Sequence, residues 1–169
     1  MKALSMKPKI DSTGNSGHKA PTSASLQFVN DIVVFSGSAH PELTAEICNN
    51  LGVAVSPSET VRFSNDCLQV QLHANCRRRD VYIVQPLVKP TQDHLMELLL
   101  MIDAARGASA ASITAVIPHY AYARSDKKDA SRISIGGKLV ADMLSAAGVG
   151  RVVTMTLHAP QVHGFFSGP

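Results

Sequence analysis

A chain of 169 residues is long enough for one α/β domain with a buried core and little more. Its 45% hydrophobic and 17% charged residues mark a globular chain, not a disordered one. The 16 Lys+Arg against 13 Asp+Glu leave +3, which argues against a general nucleic-acid-binding surface, and no run of about 18 apolar residues offers a membrane span. Cys48, Cys67 and Cys76 include no CxxC pair and fit reduced cytosolic thiols better than a disulfide framework or a zinc site.

Residues 1–26 are rich in Ser, Thr, Gly, Pro and Lys without apolar periodicity, so they are expected to form a flexible tail ahead of one domain over 27–169. The tail has neither the apolar core of a secretory signal nor the arginines of a transit peptide, so the cytoplasm is the expected location. Asp31–Phe35 reads as a β-branched strand ending in the turn Ser36–Ser38. Pro41–Leu51 carries Leu43, Ile47 and Leu51 four apart, predicting a helix on that face, closed by Gly52. Thr60–Phe63 and Leu68–Leu72 alternate around Ser64–Asp66 and predict a hairpin.

Asp80–Val84 suits a strand buried on both faces. Pro90 and Thr91 open a long helix with Leu95, Leu98, Leu99, Ile102 and Ala105 on one stripe. A strand Ser112–Ile117, a polar loop Pro118–Ser134, a helix Gly136–Ala147 ended by Gly148 and a strand Arg151–Met155 follow. Helices separating apolar strands imply a mostly parallel sheet with flanking helices and an antiparallel hairpin attached. Ligands of such sheets bind beyond the carboxyl ends of the strands, where Ser36–His40, Pro118–Arg132 and Thr156–Gly164 are expected.

Three segments could carry chemistry. In the loop after the fourth strand, Arg124, Lys127, Lys128 and Arg132 against Asp126 and Asp129 leave a local charge of +2. Such cations suit polyphosphate oxygens, with Tyr120 and Tyr122 able to flank a purine; a solvated charged loop has the same composition. His158 is read as directly following a buried strand, where it reaches a metal or a phosphate or serves structure alone. No carboxylate lies between Asp142 and the last residue, so a protein-built cation site here would lack hard oxygen ligands. At the hairpin tip, Phe63 beside polar residues suits base stacking or a plain turn. There is no GxxxxGK[ST], GxGxxG or GxSxG.

Six stretches in order, Arg62–Asp66, Gln92–Leu98, Ile113–Pro118, Tyr122–Asp129, Lys138–Asp142 and Leu157–Phe166, resemble the ribose-phosphate pyrophosphokinases (phosphoribosyl pyrophosphate synthetases) from about Ile32 to Pro169. The resemblance implies a phosphoribosyltransferase-like domain, the amino-terminal of two, in a homo-oligomer. It implies transfer of pyrophosphate from Mg-ATP to ribose 5-phosphate, giving phosphoribosyl pyrophosphate and AMP. It places Arg124, Ser125, Asp126, Lys127, Lys128 and Asp129 on the ATP-binding loop, and Phe63 and Asn65 on a hairpin that reaches an adjacent subunit's adenine. His158 falls on the histidine of the Mg2+-ATP site.

Thr156 and Ser167 stand where the family commonly has Asp, and Asn65–Cys67 departs from its usual Asp-Gly-Glu. The family's carboxy-terminal domain, with the main ribose 5-phosphate site, has no counterpart in this chain, so the chain alone is expected to be inactive. A non-catalytic associated subunit of the same family, or a truncated remnant, is the alternative expectation.

Overall fold

The computed structural model describes residues 31–155 and 157–168; the segment 1–26 read as a tail therefore lies outside the described residues. Strand β1 (Ile32–Ser36) is followed by helix α1 (Pro41–Leu51), the two-residue β2 (Val55–Ser56), and the hairpin β3 (Ser58–Arg62) and β4 (Leu68–Leu72). Then come β5 (Asp80–Val84), α2 (Thr91–Gly107), β6 (Ser112–Val116), a 3-10 turn Ala121–Arg124, α3 (Gly136–Ala147), β7 (Arg151–Val153) and a second 3-10 segment, Pro160–Phe165.

The strands form a five-stranded sheet in the order β2-β1-β5-β6-β7, every described pair parallel, and a separate antiparallel pair β3-β4. Helices cover both faces, which is why the central strands are apolar at successive positions. In β1 and β5, Val33, Phe35, Val81 and Ile83 enter the larger core against α2 and α3. Their neighbours Val34, Tyr82 and Val84 turn to the other face, where Cys48 and Ile47 of α1 meet them. Helix α2 makes the largest single contribution to the larger core, with Leu98, Met101, Ile102 and Ala105 fully buried.

The predicted α/β architecture is present, with five differences of detail. Helix α1 centres its buried face on Thr44 and Cys48, leaving Leu43 and Ile47 of the predicted stripe half-buried and Leu51 56% exposed. The rotation follows from a polar tie, Ser36 Oγ to Thr44 Oγ1 at 2.9 Å, and from the packing of Cys48 on Val34 and Val84. The hairpin forms its own sheet, with Val70 and Leu72 against the main core, and Phe63 lies past the end of β3 within the turn. Strand β2, too short to show a pattern, extends the main sheet beside β1. The loop 118–134 contains the turn Ala121–Arg124.

The last difference concerns β7. It is a three-residue edge strand with an exposed–intermediate–exposed pattern, and Met155 beyond it is 79% exposed. His158 thus sits five residues past Val153 and does not follow a buried strand directly. An edge strand has neighbours on one side only, so little holds it extended beyond its last ladder bond.

Because Leu98 is buried among α2, the sheet and α3 while Leu51 faces solvent, their truncations separate cleanly. Leu98→Ala is expected to lower unfolding free energy by about 3 kcal/mol and Leu51→Ala by about 0.5 kcal/mol or less, read by urea denaturation at constant m.

Candidate functional site

The parallel sheet sends its carboxyl ends to one edge, and backbone bonds continue the ladder past the strands themselves. Gly37 N–H donates to Val84 O, Gln85 N–H to Val116 O and Ile117 N–H to Val153 O, at 2.9, 2.9 and 2.8 Å. The loop leaving β6 is therefore held at its root. It is held again further on by the start of α3. Tyr120, 2% exposed, donates its hydroxyl to Gly137 O at 2.8 Å. Gly137 N–H donates to Ser125 O and Gly136 N–H to Ser125 Oγ, both at 2.9 Å.

Those bonds satisfy two of the orphan amides at the N-terminus of α3. They also require glycine: a Cβ on Gly136 would lie 2.9 Å from Tyr122 Cδ1, and one on Gly137 equally close to Tyr122 O. Ser125, on the motif the resemblance assigns to ATP, thus spends its hydroxyl and its carbonyl on anchoring the loop. Arg124, immediately before it, is exposed on a backbone fixed from both sides.

Beyond the anchor the cations are free of strong partners. Lys127 pairs with Asp129 at 3.7 Å, both well exposed. Arg124, Lys128 and Arg132 have no carboxylate within 4.0 Å among the described residues. Asp126 instead accepts a hydrogen bond from Gln161 Nε2, which joins the basic loop to the segment carrying His158 and His163. That segment is pinned by buried Ala159 and Val162, and with Thr154 and Met155 it lines an open cavity of about 450 Å³ beyond β7. Of the candidate residues only His163 lines this cavity, and the basic loop reaches the segment through the Asp126–Gln161 bond.

His158 itself is exposed, and no group of three or more His, Cys, Asp or Glu gathers as a metal site among the described residues. The described residues do not build a Mg2+ site by themselves. Thr156, which replaces an expected carboxylate, lies outside the described residues.

The hairpin tip stands apart. Asn65 Oδ1 accepts from Cys67 N–H at 3.2 Å, and Phe63 N–H donates to Cys67 O at 2.9 Å, so an Asx-type turn carries a left-handed Asp66 (φ 67°). This turn leaves Phe63 47% exposed. No hydrogen bond or ion pair links the tip to residues 124–129 among the described residues. Their connection runs through α2: Arg62 meets Asp93 at 2.6 Å, and Gln92 donates to the Tyr122 hydroxyl at 3.3 Å.

The residues that sequence reasoning left without a role are Gln85 and Glu97, 0% and 2% exposed. Glu97 accepts from Ser38, Thr60 and Gln85, residues distant in sequence. Its only visible signal was a carboxylate on the stripe beside Leu98.

Helices on both faces of a parallel sheet, with a built cationic loop at its carboxyl edge, define a doubly wound α/β protein that offers a binding edge beyond its strands. A family model described as the N-terminal domain of ribose phosphate pyrophosphokinase matches residues 32–148. A Streptomyces coelicolor protein assigned as a ribose-phosphate pyrophosphokinase is 70% identical over 141 residues, 83% of this chain and 44% of that protein. The Deinococcus radiodurans ribose-phosphate pyrophosphokinase is 57% identical over 138 residues, 82% of this chain and 43% of its own length. The crystal structure of phosphoribosylpyrophosphate synthetase from Mycobacterium smegmatis superposes with a TM-score of 0.80 at 42% identity, covering 82% of this chain and 47% of that one. The chain belongs to the ribose-phosphate pyrophosphokinase family. It spans less than half the length of these relatives.

Burial, and secondarily Asp142, pushes the Tyr120 phenol far above its ordinary pKa of 10.0. The folded state keeps this proton while an unfolded tyrosine loses it, so stability falls as pH rises above about 10. Tyr120→Phe is expected to cost about 1 kcal/mol at neutral pH and to flatten that alkaline decline, read by denaturation from pH 8 to 11.

Proposed function

We propose that this chain is the ATP-binding half of a ribose-phosphate pyrophosphokinase. In the reaction, O1 of ribose 5-phosphate forms a bond to the β-phosphorus of ATP while the bond from that phosphorus to the α-phosphate bridging oxygen breaks. The 1-hydroxyl proton is released and AMP leaves. Phosphoryl-type transfer needs positioning and charge neutralisation more than covalent groups from the protein, and this segment offers charge and rigidity without a Walker loop. Arg124 and Lys128 hold the triphosphate, Lys127 and Asp129 order the outer loop, and Asp126 keeps it beside residues 157–165. Ser125 acts through the backbone it anchors.

Phe63 stacks on adenine and Asn65 holds the turn that presents it. Because the tip makes no polar contact with the basic loop of its own chain, this role is best served by a neighbouring subunit in a homo-oligomer. His158 is the residue that would meet a Mg2+ ion brought with the nucleotide, and the ion would supply charge neutralisation at the phosphates. The main ribose 5-phosphate site is placed outside these residues, a reading supported by a chain that covers less than half of its relatives' length. The cytoplasm, where ATP is abundant, is the proposed location; no helix among the described residues is long and apolar enough to cross a membrane.

A non-catalytic associated subunit is the second reading. Thr156, at a position where the family commonly has Asp, favours it, and co-purification with an active pyrophosphokinase would separate it from the first.

The observation that carries the proposal is the pair of cations Arg124 and Lys128, without a carboxylate partner among the described residues, on a loop clamped between β6 and α3. Isothermal titration of the 169-residue chain with Mg-ATP tests it. Binding is expected, weakened at least tenfold by Arg124→Ala (about 1.4 kcal/mol or more) and progressively by salt, without phosphoribosyl pyrophosphate formation by the chain alone. Equal binding by wild type and Arg124→Ala would overturn the assignment of the loop.

A further inference from the structure

Hairpin β3–β4 shares no ladder with the parallel sheet, so side chains must set its attitude. Apolar packing of Val70 and Leu72 on the core brings it close, but such packing is weakly directional. The directional contacts come from β3. Thr60 Oγ1 donates to Glu97 Oε1 at 2.8 Å, and Arg62 Nη2 to Asp93 Oδ2 at 2.6 Å.

Thr60 and Arg62 are two apart on a strand, hence on one face and about 6.7 Å apart along it. Asp93 and Glu97 are four apart on a helix, hence on one face and about 6 Å apart along the axis. The two rulers match, with β3 running against the direction of α2. A slip of one residue would turn both donors away from the helix.

Glu97 does more than receive Thr60. Its Oε2 accepts Ser38 N–H, Ser38 Oγ–H and Gln85 Nε2–H at 3.2, 2.6 and 2.5 Å. Gln85 in turn accepts Ala39 N–H at 3.1 Å, and only glycine fits at position 37, where a Cβ would lie 2.2 Å from Gln85 Oε1. No cation lies within ion-pair range of Glu97 among the described residues, so four donors carry its buried carboxylate. An apolar residue of this size would serve packing; a carboxylate so placed serves direction.

We propose that Glu97 is a positioning residue, a buried lock that joins the hairpin bearing Phe63 and Asn65 to the loop Gly37–His40 at the end of β1. The two pieces then move as one body and present the aromatic tip at a fixed angle. The consequence for nucleotide binding rests on the function proposed above; the lock itself does not.

Amide hydrogen exchange on the full chain tests it, because a two-stranded hairpin released from its support frays. Thr60→Val removes one donor from an exposed position and leaves the other three on Glu97. Exchange over residues 58–72 is expected to rise at least tenfold, with β5 and β6 unchanged and Mg-ATP affinity reduced several-fold. Thr60→Ser, which keeps the hydroxyl, is expected to restore both. Glu97→Met is expected to loosen residues 38–39 as well as the hairpin, and adding Thr60→Val to it to change the hairpin no further.

Wild-type hairpin exchange in Thr60→Val, failure of Thr60→Ser to rescue, or a loss of protection spread evenly over β5 and β6 would each overturn the lock. If wild type fails to bind Mg-ATP while the exchange pattern holds, the nucleotide assignment falls and the lock stands.

Discussion

Parallel pairing is the constraint on which the rest depends. With β1, β5, β6 and β7 running the same way, every loop that leaves a carboxyl end converges on one edge. Each released backbone group there must find a partner, and the ladder bonds from Gly37, Gln85 and Ile117 meet that need while steering the loops. The β6 loop is then met by the N-terminus of α3, whose own orphan amides need acceptors. Ser125 accepts from two of those amides, the Tyr120 hydroxyl adds a bond to Gly137 O, and glycines at 136 and 137 make the approach possible.

The polar groups divide by depth. Inside, Glu97 and Gln85 form a network with hydroxyl and amide donors and, among the described residues, no cation. At the rim, Arg124 and Lys128 have no carboxylate partner among the described residues, and Lys127 is only loosely paired. A buried network of this kind fixes geometry, since each member would be left unsatisfied by a small displacement. Exposed cations on a fixed backbone can then meet an anion without first losing much freedom of their own. Helix α2 connects the two regimes, with Gln92 touching the basic loop and Asp93 and Glu97 holding the hairpin.

Much of this was legible in the sequence. Strands β1, β5 and β6 and helices α2 and α3 announce themselves because continuous apolar runs and a long apolar stripe leave little alternative. The phase of α1 did not, because Leu43, Ile47 and Leu51 offer an apolar stripe while Thr44 wins burial through its bond to Ser36. Strand β2 is too short for any period, and β7 is shorter than its apolar run because it lies at an edge. The basic loop was readable as composition. Its anchoring was not: Ser125 reads as part of a polar run until α3 arrives eleven residues later to use it, and Asp126 meets Gln161 across 35 residues. Glu97 was invisible for the same reason, since its donors come from positions 38, 60 and 85.

The most direct measurement is amide chemical-shift mapping of the labelled chain during addition of Mg-ATP. Perturbations centred on Arg124–Asp129 and on Gln161–His163 are predicted, with Arg77, Arg78 and Arg79, which directly precede β5 at the amino edge of the sheet, silent. Shifts that instead gather around Arg77–Arg79, leaving residues 124–129 unmoved, would contradict the placement of the triphosphate at the carboxyl edge of the sheet.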